Sequence, residues 1–166
     1  MIKSILIANR GEIACRIIKT SKKLGIKSSV IYSSEDENSL AVQMADHAFF
    51  LESKDGEKKE YLDTDQIISI ALKNKIEAIH PGYGFIYENA NFAKLVEDNG
   101  IKFIGPPYTA IKIMGDKIIS KKHAKNSGVS TIPGVQDEIK SFEDAVKASK
   151  KIGFPLMIKA SAGGGG

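Results

Sequence analysis

The run Ser4-Ile5-Leu6-Ile7-Ala8 is apolar at nearly every position and does not alternate. In a strand such a run needs cover on both faces, which a parallel sheet between two layers of helices provides. The next residues agree with such a layered sheet. Asn9-Arg10-Gly11 makes a tight turn, and the spacing predicts a helix from Glu12 with Ile13, Ala14, Ile17, Ile18 and Leu24 on its inner face. Arg16, Lys19, Lys22 and Lys23 fall on the outer face, and Gly25 stops the helix in the position just past its end. A second strand, 27–32, begins at once. Strand, helix and strand with short joints predict a right-handed parallel βαβ unit.

The alternation continues. A short helix over 39–45 leads to a strand at 48–51 and a polar loop, 52–60. Asp63 or Thr64 caps a helix to Lys73 that buries Ile67, Ile68, Ala71 and Leu72. A strand over 76–80, a helix over 89–99 ended by Gly100, and a strand over 102–105 complete the series. The expected architecture is α/β, a doubly wound, mostly parallel, Rossmann-like sheet over residues 1–110. Residues 111–166 read as the start of a second, α+β domain: helices over 109–115, 116–127 and 141–152, then a buried strand at 156–159.

Composition narrows the class. The 166 residues carry 24 basic and 20 acidic side chains, a net charge of +4, with lysines spread along the chain. That predicts a solvated basic surface rather than a nucleic-acid groove. Cys15 is the single cysteine, so no intrachain disulfide forms. It sits on an apolar helix face, a core position rather than a nucleophile's. His47, His80 and His123 are scattered without a second ligand at zinc spacing. No apolar run approaches membrane-spanning length, and Met1 leads straight into the first strand with no room for a leader. The expectation is a cytoplasmic protein with no membrane or nucleic-acid partner.

Three places invite a chemical reading. The first strand–helix turn, Asn9-Arg10-Gly11-Glu12-Ile13-Ala14, offers one glycine where a dinucleotide fingerprint needs three, and Glu12 would repel a pyrophosphate. His80-Pro81-Gly82-Tyr83-Gly84-Phe85 leaves the carboxyl end of a strand, where such sheets place ligands. Gly82 and Gly84 permit a sharp turn; His80 is either a base or clamp, or a residue satisfied by backbone inside a rigid turn. At the far end Lys159 precedes Gly163, Gly164, Gly165 and Gly166. Glycines let the backbone approach a ligand, and their N–H groups with a lysine can wrap phosphate oxygens. A flexible linker with a snorkelling lysine is the alternative. Lys117, after the Gly115 break, is either solvated or a second phosphate-binding lysine.

Together these motifs resemble one family. Ile5–Ala14, His80–Phe85, Glu88–Ala93, Phe103–Pro106, Met114–Lys117 and Lys159–Ala162 with the glycines are similar, in that order, to the biotin carboxylases, the ATP-grasp component of biotin-dependent carboxylases. Gly115–Ile118, Thr131–Gly134 and Lys159–Gly163 suit the propionyl-CoA carboxylase branch, though acyl-CoA and pyruvate carboxylases share most of these segments. Ile86-Tyr87 departs from the family's Leu-Ser, which bears on local loop packing.

The resemblance implies that residues 1–110 are a pre-ATP-grasp domain that supports the site and helps form a homodimer, with His80, Gly82 and Gly84 in a site-supporting turn. It implies that residues 111–166 open the ATP-grasp domain, with Lys117, Lys159 and Gly163–Gly166 on ATP. The chemistry implied is ATP-dependent activation of bicarbonate through a carboxyphosphate-type intermediate, then carboxylation of biotin, with Mg2+ assisting. The implied partners are a biotin carboxyl carrier domain and a carboxyltransferase (β) subunit. In the family the magnesium, bicarbonate and biotin sites and the catalytic base lie further along. A longer parent is therefore expected, with this chain inactive alone and no catalytic residue within it. A different ATP-grasp ligase, such as a carboxylate–amine ligase, and a non-catalytic module docking through Arg16, Lys19 and Lys23 are the rival readings.

Overall fold

The structure, a computed structural model, describes residues 2–53, 59–115, 117–132, 134–135 and 139–158, with Lys117 described as backbone only. The chain divides into two compact units, Met1–Tyr108 and Thr109–Gly166.

In the first unit the elements run β1 (Ser4–Ile7), α1 (Gly11–Lys23), β2 (Lys27–Tyr32), α2 (Leu40–Met44), β3 (His47–Phe50), α3 (Thr64–Lys73), β4 (Ala78–His80), α4 (Ala90–Asp98) and β5 (Lys102–Phe103). Single 3₁₀ turns at Ser34–Asp36 and Glu60–Leu62 flank the β2–α3 region. The five strands form one sheet in the order β3-β2-β1-β4-β5, and every neighbouring pair is parallel. The doubly wound expectation is met.

Register explains the uniform apolarity of β1. Its side chains alternate between two cores, as the pleat requires. Ile5 and Ile7 join Ile13, Ile17 and Ile18 of α1 and Ala41 of α2 on one face. Leu6 and Ala8 join Ile67 and Ala71 of α3 and Phe92 and Val96 of α4 on the other. The neighbouring strands split likewise, Val30 and Ala78 to the first core, Ile31 and Ile79 to the second. Each fully buried Ile or Leu contributes about 1.5–3 kcal/mol by leaving water, so a strand exposed on either side could not hold this sequence. Cys15 is partly buried against the first core.

Polar groups taken into these layers are matched. Ser28, fully buried in β2, donates its N–H and hydroxyl to Asp46 at 2.8 and 2.9 Å. The Ser28 N–H is the main reason the Asp46 carboxyl titrates below its usual range. Asp63 caps α3 by accepting from the Gln66 N–H at 3.0 Å, and Asn89 caps α4 through the Phe92 N–H. Among the described residues no buried side-chain nitrogen or oxygen lacks a partner.

Three expectations are corrected. Leu24 is 64% exposed because α1 has already ended: Gly25, at φ +68°, turns the chain away and leaves Leu24 at the cap. Leu72 is 47% exposed. It stands about 100° round the helix from Ala71, at the rim of the buried stripe. The strand expected at 156–159 is absent over its described part. Met157 and Ile158 are 78% and 84% exposed, and no described segment after β5 is a strand that could pair with them.

The second unit contains α5 (Tyr108–Met114) from its second residue on, α6 (Lys117–Asn126) and α7 (Phe142–Ile152). Ser141 caps α7 by accepting the Asp144 N–H at 3.1 Å, as its position before Glu143 predicts. No helix among the described residues is long and apolar enough to cross a membrane.

Candidate functional site

The strand order reverses between β1 and β4: the chain winds outward through β2 and β3, then returns to β1's other side. Ligands of doubly wound sheets bind beyond the carboxyl ends of the strands at such a point. Two turns meet there, Asn9-Arg10-Gly11 after β1 and the His80–Phe85 turn after β4. The ladder itself runs up to them, with the Ala8 N–H donating to the His80 carbonyl at 2.9 Å.

Asn9 is 3% exposed, and its carboxamide joins the turns. Nδ2 donates to the Pro81 and Tyr83 carbonyls, both at 2.8 Å, while Oδ1 accepts the Arg10 N–H at 2.9 Å. The opposite turn bends to meet it through left-handed conformations at Gly82 (φ +67°), Gly84 (φ +69°) and Phe85 (φ +49°). At Gly82 a Cβ would lie 2.5 Å from Asn9 Nδ2, so the glycine is needed for space as well as for φ. On the outer side the Tyr83 hydroxyl donates to Glu12 in the first turn of α1. That bond, chiefly, raises the tyrosine's pKa.

His80 accepts the Gly82 N–H on Nδ1 at 3.0 Å, which places the ring proton of the neutral form on Nε2. Burial, with a smaller contribution from the Arg16 charge, lowers its pKa. The Gly82 N–H on Nδ1 is the backbone contact that the turn reading of His80 expects. Ile86, where the sequence departs from the family pattern, is buried in the second core, while Tyr87 stays at the surface with its hydroxyl on Glu88.

Beside the turns lies a cluster that sequence reading missed. Asp36 Oδ2 accepts from Arg10 (3.0 Å), the Ser33 hydroxyl (3.2 Å) and the Tyr61 hydroxyl (2.8 Å). The Tyr61 ring stacks on Phe85 with centroids 5.1 Å apart. Burial, then the Asp36 bond and charge, push the tyrosine's pKa well up. A pocket of about 290 Å³ opens over Arg10, Ser33, Tyr61 and Phe85, with Glu35 and Glu60 also on its wall. Arg10 and Lys59 set two basic side chains beside those two carboxylates, so the wall carries no formal excess of either charge.

The structure therefore brings His80, Gly82 and Gly84 together in one turn. Lys159 and Gly163–Gly166 lie outside the described residues, as does the side chain of Lys117, whose backbone begins α6. Among the described residues no group of three or more His, Cys, Asp or Glu side chains is placed to hold a metal ion. Asn9 was legible only as a turn former. Its burial follows from the pairing of β1 with β4, which no local pattern encodes.

Comparison with known proteins gives this arrangement a family. Residues 1–111 match the model of the biotin carboxylase N-terminal domain, and residues 116–166 match that of the carbamoyl-phosphate synthase L chain ATP-binding domain. The propionyl-CoA carboxylase alpha chain of Ruegeria pomeroyi is 50% identical over all of this chain, which covers 24% of that protein. Biotin carboxylase 1 of Bacillus subtilis is 48% identical, again over all of this chain and 37% of the relative. The biotin carboxylase domain dimer of Hydrogenobacter thermophilus 2-oxoglutarate carboxylase, solved with MgADP and bicarbonate, superposes with a TM-score of 0.92 at 47% identity. That match covers 99% of this chain and 36% of the domain. The chain thus spans between a quarter and somewhat over a third of the length of these relatives. With a matching N-terminal domain model over most of its length and relatives at this identity throughout, the chain belongs to the biotin carboxylase family.

Proposed function

We propose that this chain forms the N-terminal α/β domain, residues 1–110, and the opening of the ATP-binding domain, residues 111–166, of an enzyme that carboxylates biotin using ATP and bicarbonate. The observation that carries this is the run of about 50% identity to a propionyl-CoA carboxylase alpha chain across all 166 residues. A propionyl-CoA carboxylase is accordingly the parent we favour, working with a biotin carboxyl carrier domain and a carboxyltransferase subunit. A homodimer is supported by the dimeric Hydrogenobacter relative, and in this reading the N-terminal domain helps form its contacts. A cytoplasmic setting fits the single, unpaired cysteine.

In this reading Lys117 and Lys159 place positive charge on the ATP phosphates, and the Gly163–Gly166 backbone donates N–H groups to them. Such groups stabilise charge that shifts during phosphoryl transfer. ATP with Mg2+ supplies the phosphoryl group that activates bicarbonate. The first domain takes no dinucleotide in this reading, because its first strand–helix turn has one glycine where the fingerprint needs three. Its part is to present a fixed surface. The chain alone lacks the rest of its relatives' length and turns nothing over.

The test is bicarbonate- and biotin-dependent ADP release by the full-length protein that contains this chain. Lys159→Ala should lower it about 100-fold or more, as loss of a charge stabiliser in phosphoryl transfer does. Undiminished release from Lys159→Ala, or none from the unsubstituted protein, would overturn the reading.

A further inference from the structure

The two turns at the switch point of this sheet are tied to each other by the chain itself. Asn9 has both amide hydrogens and its oxygen committed, all to backbone atoms, at a site that is 3% exposed. The two turns it joins are joined again at the surface by Tyr83 and Glu12. These ties are unequal. The outer one is exposed and competes with water, so it cannot hold a turn that the inner one releases. Removing the inner donors would leave the Pro81 and Tyr83 carbonyls without their partner in a site water reaches poorly, and the turn would relax.

We propose that Asn9 is a positioning residue: its carboxamide sets the His80–Phe85 turn, and thereby fixes the Tyr83–Glu12 pair as the surface offered at the switch point. Only the consequence for turnover rests on the biotin carboxylase reading above; the ordering of the turn does not.

Asn9→Asp is the informative variant. It keeps the shape and the acceptor for the Arg10 N–H, but sets a carboxylate oxygen against two carbonyls. Asn9→Ser, smaller and uncharged, guards against a charge-induced collapse. In the 166-residue chain, exchange of the Gly82 amide, which donates to His80, and of the Tyr87 amide, which donates to Gly84, reports the turn. Carbon-13 labelled tyrosine reports the Tyr83 titration. Both variants should speed exchange of these amides about tenfold or more while the β1 and β4 amides stay protected. Tyr83 should then titrate at lower pH, towards the ordinary tyrosine range. In the full-length protein kcat should fall about tenfold with the KM for ATP nearly unchanged. Unchanged turn exchange and Tyr83 titration would overturn the proposal. So would loss of the β1 and β4 protection in both variants, which would make Asn9 a core residue only, or full kcat despite a loosened turn. An inactive unsubstituted protein would instead overturn the biotin carboxylase reading, leaving the exchange and titration to decide Asn9's role.

Discussion

Asn9 and Gly82 compete for one space: a Cβ on Gly82 would lie 2.5 Å from the Asn9 amide nitrogen and 2.8 Å from the carboxamide carbon. The buried carboxamide and the bare glycine are therefore a matched pair, and neither can be changed without regard to the other.

Gly82→Ala is expected to destabilise the chain by more than the roughly 1–3 kcal/mol that a left-handed conformation costs a residue with a Cβ, since the clash adds to it. Urea unfolding measures this. In Asn9→Ala the space opens, so the double variant should fall short of additivity by about 0.5–3 kcal/mol, the range for residues in contact. Strict additivity would mean that the two do not meet.

His80 gives a pH signature. Burial holds its folded pKa below the usual value of 6.5, so the unfolded chain takes up the proton first. Stability should therefore rise with pH from the folded pKa up to about 6.5 and be flat in this group above that. Protonating Nδ1 would also break its bond from the Gly82 N–H. His80→Asn keeps an acceptor near the same place and cannot titrate, so its stability profile should lose this rise. A profile with the same slope in both proteins would assign it to another group.

How far the fold could be read from the sequence shows in α3. The spacing of Ile67, Ile68, Ala71 and Leu72 predicts one buried face, and three of the four are buried. Leu72 is not, because period alone fixes a stripe's direction but not its width; the width depends on how closely α4 packs beside it. The sheet was legible for a stronger reason, since β1 needs apolar cover on both sides and only a layered parallel sheet gives it. The Asp36–Tyr61–Phe85 cluster was not, because its members come from separate loops that only the finished sheet brings together. The strand expected near residue 158 failed because a strand is a property of a pair.

The unequal burial of Ile67 and Leu72 is measurable. Ile67→Ala, at a fully buried site, should cost about 2–5 kcal/mol, whereas Leu72→Ala, nearly half exposed, should cost well under half as much. Equal losses in thermal or urea unfolding would mean that Leu72 is covered in solution.

Tyr61 separates ring from hydroxyl. Tyr61→Phe keeps the stack on Phe85 and loses the bonds to Asp36 and Ser33, for about 0.5–1.5 kcal/mol. Tyr61→Ala loses both, for about 3–5 kcal/mol, as large aromatic truncations do. If the two variants were equally unstable, the hydroxyl and not the ring would hold the cluster.

The most direct test traces labelled bicarbonate. The full-length protein containing this chain, given ATP, Mg2+ and free biotin, should transfer the bicarbonate carbon to biotin. Lys159→Ala should abolish the transfer, and the 166-residue chain alone should give none. Transfer by the isolated chain, or a full-length protein that cleaves ATP without carboxylating biotin, would contradict the account.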